Sequence, residues 1–294
     1  MTQPPNEHDD LERAMRRMEG EFGPRRANTG DDTPRPTPPG TGPIYGEARP
    51  IPTPQMPAPG LQLARPRAVW LILGSIAVIY VLSCLLSGSL FEPNLRVLIL
   101  LGAKENGLIA GGDYWRLITA TLLHGSLLHI FFNGYALFAL GPESERIYGT
   151  GRFLALYGLA GLGGSVASYL FSPAPSVGAS GAIFGLIGGL GMFFYLSREA
   201  LGEFGRAQTQ SMATIAMINL IIGFASAGVI DNWGHLGGLV VGVAAGAALA
   251  PRLSVNPDLY PPVVARSYVP WGWIAAVAIF LILAALVMLL PGAA

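Results

Sequence analysis

Residues 178–185 read GASGAIFG and open an apolar run that continues as LIGGLGMFFYL to residue 196. Gly181, Gly185 and Gly189 recur every four residues along it, a spacing that gathers them into one smooth ridge on a helix. A ridge of this kind lets a second helix backbone approach closely. Its counterpart lies at 231–246, DNWGHLGGLVVGVAAG, where Gly238, Gly242 and Gly246 repeat at the same interval and His235 precedes the first by three. If the two ridges pack together, the Ser180 hydroxyl and the His235 imidazole come within hydrogen-bond reach near the outer ends of their helices. The glycines around Ser180 permit a tight turn into the helix and a close substrate approach, and the free amides at the helix start favour a developing oxyanion. Locally, Ser180 can be read as a helix cap or as a nucleophile that needs a base.

The chain around these stretches has 294 residues, 51% hydrophobic and 12% charged, with 39 glycines and a mean hydropathy of +0.48. That composition is of a membrane protein. The formal net charge is zero and no basic cluster is large, which argues against a nucleic-acid partner. A single cysteine, Cys84, excludes an intrachain disulfide framework. Residues 1–66 contain 14 of the 24 prolines and only two aromatics, Phe22 and Tyr45, a composition that predicts a disordered tail. Within it DDLERAMRRMEGEF reads as a solvated charged segment, and no apolar core of a cleavable signal precedes the first span.

From Val69 onward, seven apolar segments have lengths suited to a bilayer, at 69–87, 122–141, 153–171, 179–196, 212–230, 233–250 and 271–290. All five tryptophans, Trp70, Trp115, Trp233, Trp271 and Trp273, fall at or just outside segment ends. With the N-terminus inside, 15 of the 18 basic residues are cytoplasmic, against Arg96, Lys104 and Arg116 outside. The expected topology is therefore N-terminus cytoplasmic and C-terminus outside. Residues 88–121 combine apolar pieces too short to span with GGDYWRL, which predicts an outer segment resting against or dipping into the membrane edge. A fourth span of about 17 residues rises only about 25 Å, so Ser180 is expected below the outer surface, with the irregular SPAPSVG lining a polar cavity that admits water.

Three of the four histidines, His124, His129 and His235, lie in or beside predicted spans, where ionisable groups usually mark a site. His124 and His129 are five apart, about 140° around a regular helix, so they do not face one ion together. No HExxH is present, and a zinc site is not expected. His129 and Asn133 are four apart and share a face, from which they can present donors to a common point. His235 is suited to act as general base toward Ser180 and then as acid toward a leaving amine. Asp231, four residues earlier, suggests either a third triad member or, as favoured here, a cap for the sixth helix. Asn219 is expected to make an interhelical hydrogen bond.

Over roughly residues 69–250 the sequence resembles the rhomboid family of intramembrane serine proteases. The resemblance is carried by GASGAIFG, by GHLGGLVVG and by HGSLLHIFFN. It implies a Ser180–His235 catalytic dyad, with oxyanion stabilisation by His129, Asn133 and the Ser180 amide. His124 matches a family histidine with a supporting role, and Gly178, Gly181, Phe184, Gly238 and Gly242 are the supporting residues implied within the motifs. Phe184 matches an aromatic that packs on the dyad histidine. Trp115-Arg116 matches a Trp-Arg pair of the first outer loop, and Glu145-Arg146 a structural Glu-Arg pair. The expected fold is an all-α polytopic membrane protein, a rhomboid-like six-helix core over 67–252 with a loop and seventh span over 253–294, following the tail of 1–66. The implied partners are transmembrane protein substrates within the lipid bilayer of the cell membrane. The implied activity is cleavage of transmembrane segments without metal or cofactor, and a non-catalytic binder or trafficking factor of the same family is the alternative.

Overall fold

A computed structural model describes residues 65–226, 230–256 and 263–293, so the expectations for the tail and for the end of the 212–230 segment lie outside the described residues. The first helix, α1 (Ala68–Ser87), is apolar on nearly every face and ends at Gly88, whose φ of +63° suits a left-handed stop. The outer segment folds as three short helices, α2 (Leu95–Leu101), α3 (Asn106–Ala110) and α4 (Arg116–Thr119), followed by a 3₁₀ turn at Ala120–Leu122. Arg116 is buried at its centre. It donates to the Ile99 and Ala103 carbonyls at 2.6 and 3.4 Å, pairs with Asp113 at 3.0 Å and lies 4.6 Å from the centre of the Trp115 ring.

The expected 122–141 span is displaced. Its helix, α5 (Leu127–Tyr148), starts only after Ser126, whose side chain accepts from the His129 amide, and runs on through Pro142. Leu123 is extended, and the axis bends by 91° between α4 with its 3₁₀ turn and α5. His124 therefore sits in the break, off the helix, and the helical angle between His124 and His129 does not apply.

Next come α6 (Thr150–Phe171), α7 (Ser180–Leu196), α8 (Arg198–Ala225), α9 (Asn232–Leu249) and α10 (Gly272–Leu289). The polar stretch expected as a loop between the fourth and fifth spans is helical. Glu, Ala, Leu, Arg and Gln in REALGEFGRAQTQ are strong helix formers, and only Gly202, at φ +59°, interrupts the run. An antiparallel hairpin, β1 (Arg252–Asn256) and β2 (Val263–Ser267), stands where a plain loop was expected. Its arms each contain valine, which favours strand. Asn219 donates to Ile215 of its own helix at 2.8 Å rather than to a neighbour, because it lies on an exposed face.

The architecture is that of a helical, multi-pass membrane protein. Among the described residues, α1, α6, α9 and α10 are each long and apolar enough to cross a bilayer, and the bent α4–α5 pair makes a fifth if its two parts count as one broken span; α7 is apolar but has 17 residues. Side chains such as Leu71, Val78, Leu82, Leu281 and Ile282 face outward from α1 and α10, where lipid replaces water. In lipid, helices associate through close packing and hydrogen bonds rather than by escaping solvent. Here α9 packs along both α6 and α7. Glu145 on α5 is fully buried and accepts from the Ala68 and Val69 amides at 3.0 Å each and from Thr150 at 2.8 Å, joining α5 to the start of α1. Arg146 beside it is exposed.

Candidate functional site

The two glycine ridges meet. A Cβ added to Gly238 would lie 2.0 Å from the Gly181 carbonyl oxygen, one on Gly242 2.3 Å from the Gly185 Cα, and one on Gly246 2.9 Å from the Gly189 Cα. No residue larger than glycine allows α7 and α9 this separation. Ser180, one residue before Gly181, thereby lies against the turn of α9 that carries Gly234 and His235. Phe184, one helical turn further along α7, stacks on the His235 ring with centroids 4.3 Å apart and planes at 16°.

Ser180 is the first residue of α7, and the position before it, Ala179, makes no side-chain capping bond. The capping explanation of Ser180 therefore fails here, and its hydroxyl is left for other work. Asp231 does cap: its Oδ1 accepts from the Gly234 amide at 2.9 Å at the start of α9. His235 Nδ1 is buried without a hydrogen-bond partner, so Asp231 does not orient the ring. No hydrogen bond joins Ser180 to His235 among the described residues, a looseness common where no substrate is bound.

His129 comes from α5 to the same place. Its Nδ1 accepts from the Gly125 amide at 3.5 Å, which in a neutral ring leaves the proton on Nε2. A Cβ on Gly178 would sit 2.7 Å from that Nε2 and 3.8 Å from Ser180 Oγ. Gly178 has φ +131°, so both its backbone conformation and the imidazole beside it require glycine. Asn133 is buried on the same face as His129, and its Nδ2 donates to the His129 carbonyl at 2.9 Å, which leaves one N–H of the amide uncommitted. His124 is fully buried, its ring edge-on to that of His129 with centroids 5.0 Å apart. Arg116 and Glu145 make their hydrogen bonds to the outer segment and to the start of α1, and Trp115 packs beside the Arg116 guanidinium.

A hollow of about 20 Å³, room for about one water, opens beside Ser180 and is lined by Lys104, Ser165, Ser168, Gly178 and Asp231 among others. The sequence pattern makes Lys104 only an outer charge, yet it is 1% exposed. Its Nζ donates to the carbonyls of Ser172 and Ala174 at 2.7 and 2.8 Å. Burial lowers its pKa from 10.5 to about 8, with Asp231 and Glu105 acting in the opposite sense. The sequence signal for this residue is slight: one lysine directly after the apolar VLILLGA. Among the described residues no cluster of three metal-ligating side chains is formed.

The Rhomboid domain family matches residues 111–252, the stretch that holds every one of these residues except Lys104 and Glu105. The chain belongs to the rhomboid family. It is 49% identical over 158 residues to Rhomboid protease GluP of Bacillus subtilis (strain 168), covering 54% of this chain and 30% of that protein. Rhomboid-like protease 3 of Toxoplasma gondii is 36% identical over 178 residues, covering 60% and 66% of the respective chains. RHOMBOID-like protein 5 of Arabidopsis thaliana is 36% identical over 179 residues, covering 59% and 57%. This rhomboid thus spans between 30% and 66% of the length of these relatives.

Proposed function

We propose that this rhomboid is an intramembrane serine endopeptidase that cuts transmembrane segments of other membrane proteins. The observation that carries the proposal is the glycine-to-glycine contact of α7 with α9, which sets Ser180 against the turn bearing a Phe184-stacked His235. Ser180 Oγ attacks the scissile carbonyl while His235 takes its proton, and His235 then protonates the departing amine. His129 Nε2–H, the free N–H of Asn133 and the Ser180 amide stabilise the oxyanion. Water for hydrolysis of the acyl-enzyme comes through the hollow beside Ser180. The capping role of Asp231 supports a dyad rather than a triad.

The proposed topology is a six-span core over 67–252 followed by α10 as a seventh span, in the cell membrane, with the N-terminus cytoplasmic. The distribution of basic residues supports it. The test is cleavage of a single-span reporter by purified protein: Ser180→Ala and His235→Ala abolish it while both variants still fold. Undiminished cleavage by purified Ser180→Ala rejects the proposal, whereas folded wild type that neither cleaves the reporter nor takes a fluorophosphonate label favours a non-catalytic binder of transmembrane segments.

A further inference from the structure

The connection from α6 to Ser180 is short, irregular and rich in proline: SPAPSVG, residues 172–178. Pro173 and Pro175 have no amide to donate, and 173–175 are exposed, so this stretch has few means of holding its own shape. What holds it comes largely from one residue of the outer segment. Lys104 Nζ donates to the Ser172 and Ala174 carbonyls at 2.7 and 2.8 Å, and the Lys104 backbone exchanges two 3.0 Å hydrogen bonds with Ser176 in an isolated antiparallel bridge. Asn106, two residues on, adds a 3.1 Å bond to the Ser172 carbonyl, and the Gly178 amide donates to Ala120 at 2.9 Å. The strand ends at Gly178, the joint lying between His129 Nε2 and Ser180 Oγ.

We propose that Lys104 is a positioning residue for the chemistry at Ser180, fixing from the outer segment the strand that delivers the serine and the oxyanion-binding amide. The inference rests on the peptidase reading above and extends it to a residue outside the matched domain. Lys104 acts through the backbone at 172–178. A residue with this role sets the turnover of bound substrate more than its binding. An ammonium group serves here because it supplies two strong hydrogen bonds to carbonyl oxygens from a single atom on a long stem. The side chain is buried, and its loss leaves the Ser172 and Ala174 carbonyls without this donor.

The experiment compares wild type with Lys104→Met, Lys104→Arg and Ser180→Ala in the same lipid. Lys104→Met is expected to lower kcat by about 100-fold, the scale of a misplacement of about 1 Å in a reacting group. Its KM for the reporter stays within about threefold, since the side chain meets no substrate. Hydrogen exchange at the Ser176 and Gly178 amides accelerates while that of α9 does not change, which separates local release from general unfolding. Lys104→Arg, which keeps donors for both carbonyls, restores most of kcat. If Lys104→Met fails to fold, Lys104→Gln takes its place: its shorter stem carries an amide that does not reach both carbonyls, and its kcat must fall as well. Wild-type kcat in Lys104→Met or Lys104→Gln, with Ser180→Ala inactive, overturns the role of Lys104 alone. Cleavage that survives Ser180→Ala instead overturns the peptidase reading beneath it.

Discussion

Replacing Gly238 with alanine adds one methyl group where α7 and α9 touch. The new Cβ would lie 2.0 Å from the Gly181 carbonyl oxygen, whereas ordinary Cβ contacts begin at 3.4 Å, so the helices must part by about 1.4 Å at this level. The obstacle is backbone, with no flexible side chain to swing aside. Overpacking of this kind costs about 1–3 kcal/mol. A shift of that size between Ser180 and His235 lowers kcat/KM by about 100-fold or more. The control is Gly158→Ala on α6, where an added Cβ meets nothing within 4 Å. It makes the same chemical change in a helix interior and is expected to leave the rate within about twofold while raising stability by about 0.5–1 kcal/mol. The assay is cleavage of a fluorogenic transmembrane reporter by protein reconstituted in nanodiscs, alongside thermal unfolding of the same samples. Equal rates and equal stabilities for the two variants would refute the claim that glycine packing at Gly238 aligns the site.

Three further outcomes follow from the same geometry. Asp231→Asn keeps an acceptor for the Gly234 amide and is expected to retain activity within a few-fold; a loss near the roughly 10⁴-fold typical of a triad carboxylate would show that Asp231 acts on His235. Glu145→Ala leaves the Ala68 and Val69 amides and the Thr150 hydroxyl without their acceptor and is expected to cost about 1–3 kcal/mol in thermal unfolding, while Arg146→Ala, at an exposed position, changes it by less than about 0.5 kcal/mol. Lys104 gives a pH signature. With its pKa about 8 in the folded chain against 10.5 for a free lysine, the unfolded state binds more protons between those values, so this residue makes stability rise with pH across that window. Subtracting the unfolding temperature of Lys104→Met from that of wild type isolates the effect. The difference is expected to grow in favour of wild type from pH 8 to 10.5, and a flat difference would mean that the lysine is not held in a desolvated place.

Much of the site was legible because it depends on helical period. Glycines four apart on two separate segments predicted the ridge-on-ridge contact, and the three-residue step from His235 to Gly238 put the imidazole beside it. The shared face of His129 and Asn133 came from the same spacing. What failed was where the period itself breaks. His124 was placed on a helix that begins only at Leu127, because Ser126 caps it and apolar composition continues straight across the bend. Ser180 reads equally as a cap because capping and a half-buried first helical position beside glycines suit the same small hydroxyl side chain. Asn219 was given a partner on another helix because the sequence does not say which face of a span meets protein and which meets lipid. Lys104 was invisible as more than a charge, since its role depends on carbonyls nearly 70 residues away in a proline-rich strand. The hairpin after α9 was passed over because each strand has only five residues.

The central claim is that Ser180 is made nucleophilic by His235 across the contact of α7 with α9. Labelling of the purified, folded protein with a fluorophosphonate, with the modified residue mapped by mass spectrometry, tests it most directly. The account predicts a single adduct on Ser180 that disappears in His235→Ala and is strongly slowed in Gly238→Ala. An adduct on another serine, or Ser180 labelling at the wild-type rate without His235, would contradict it.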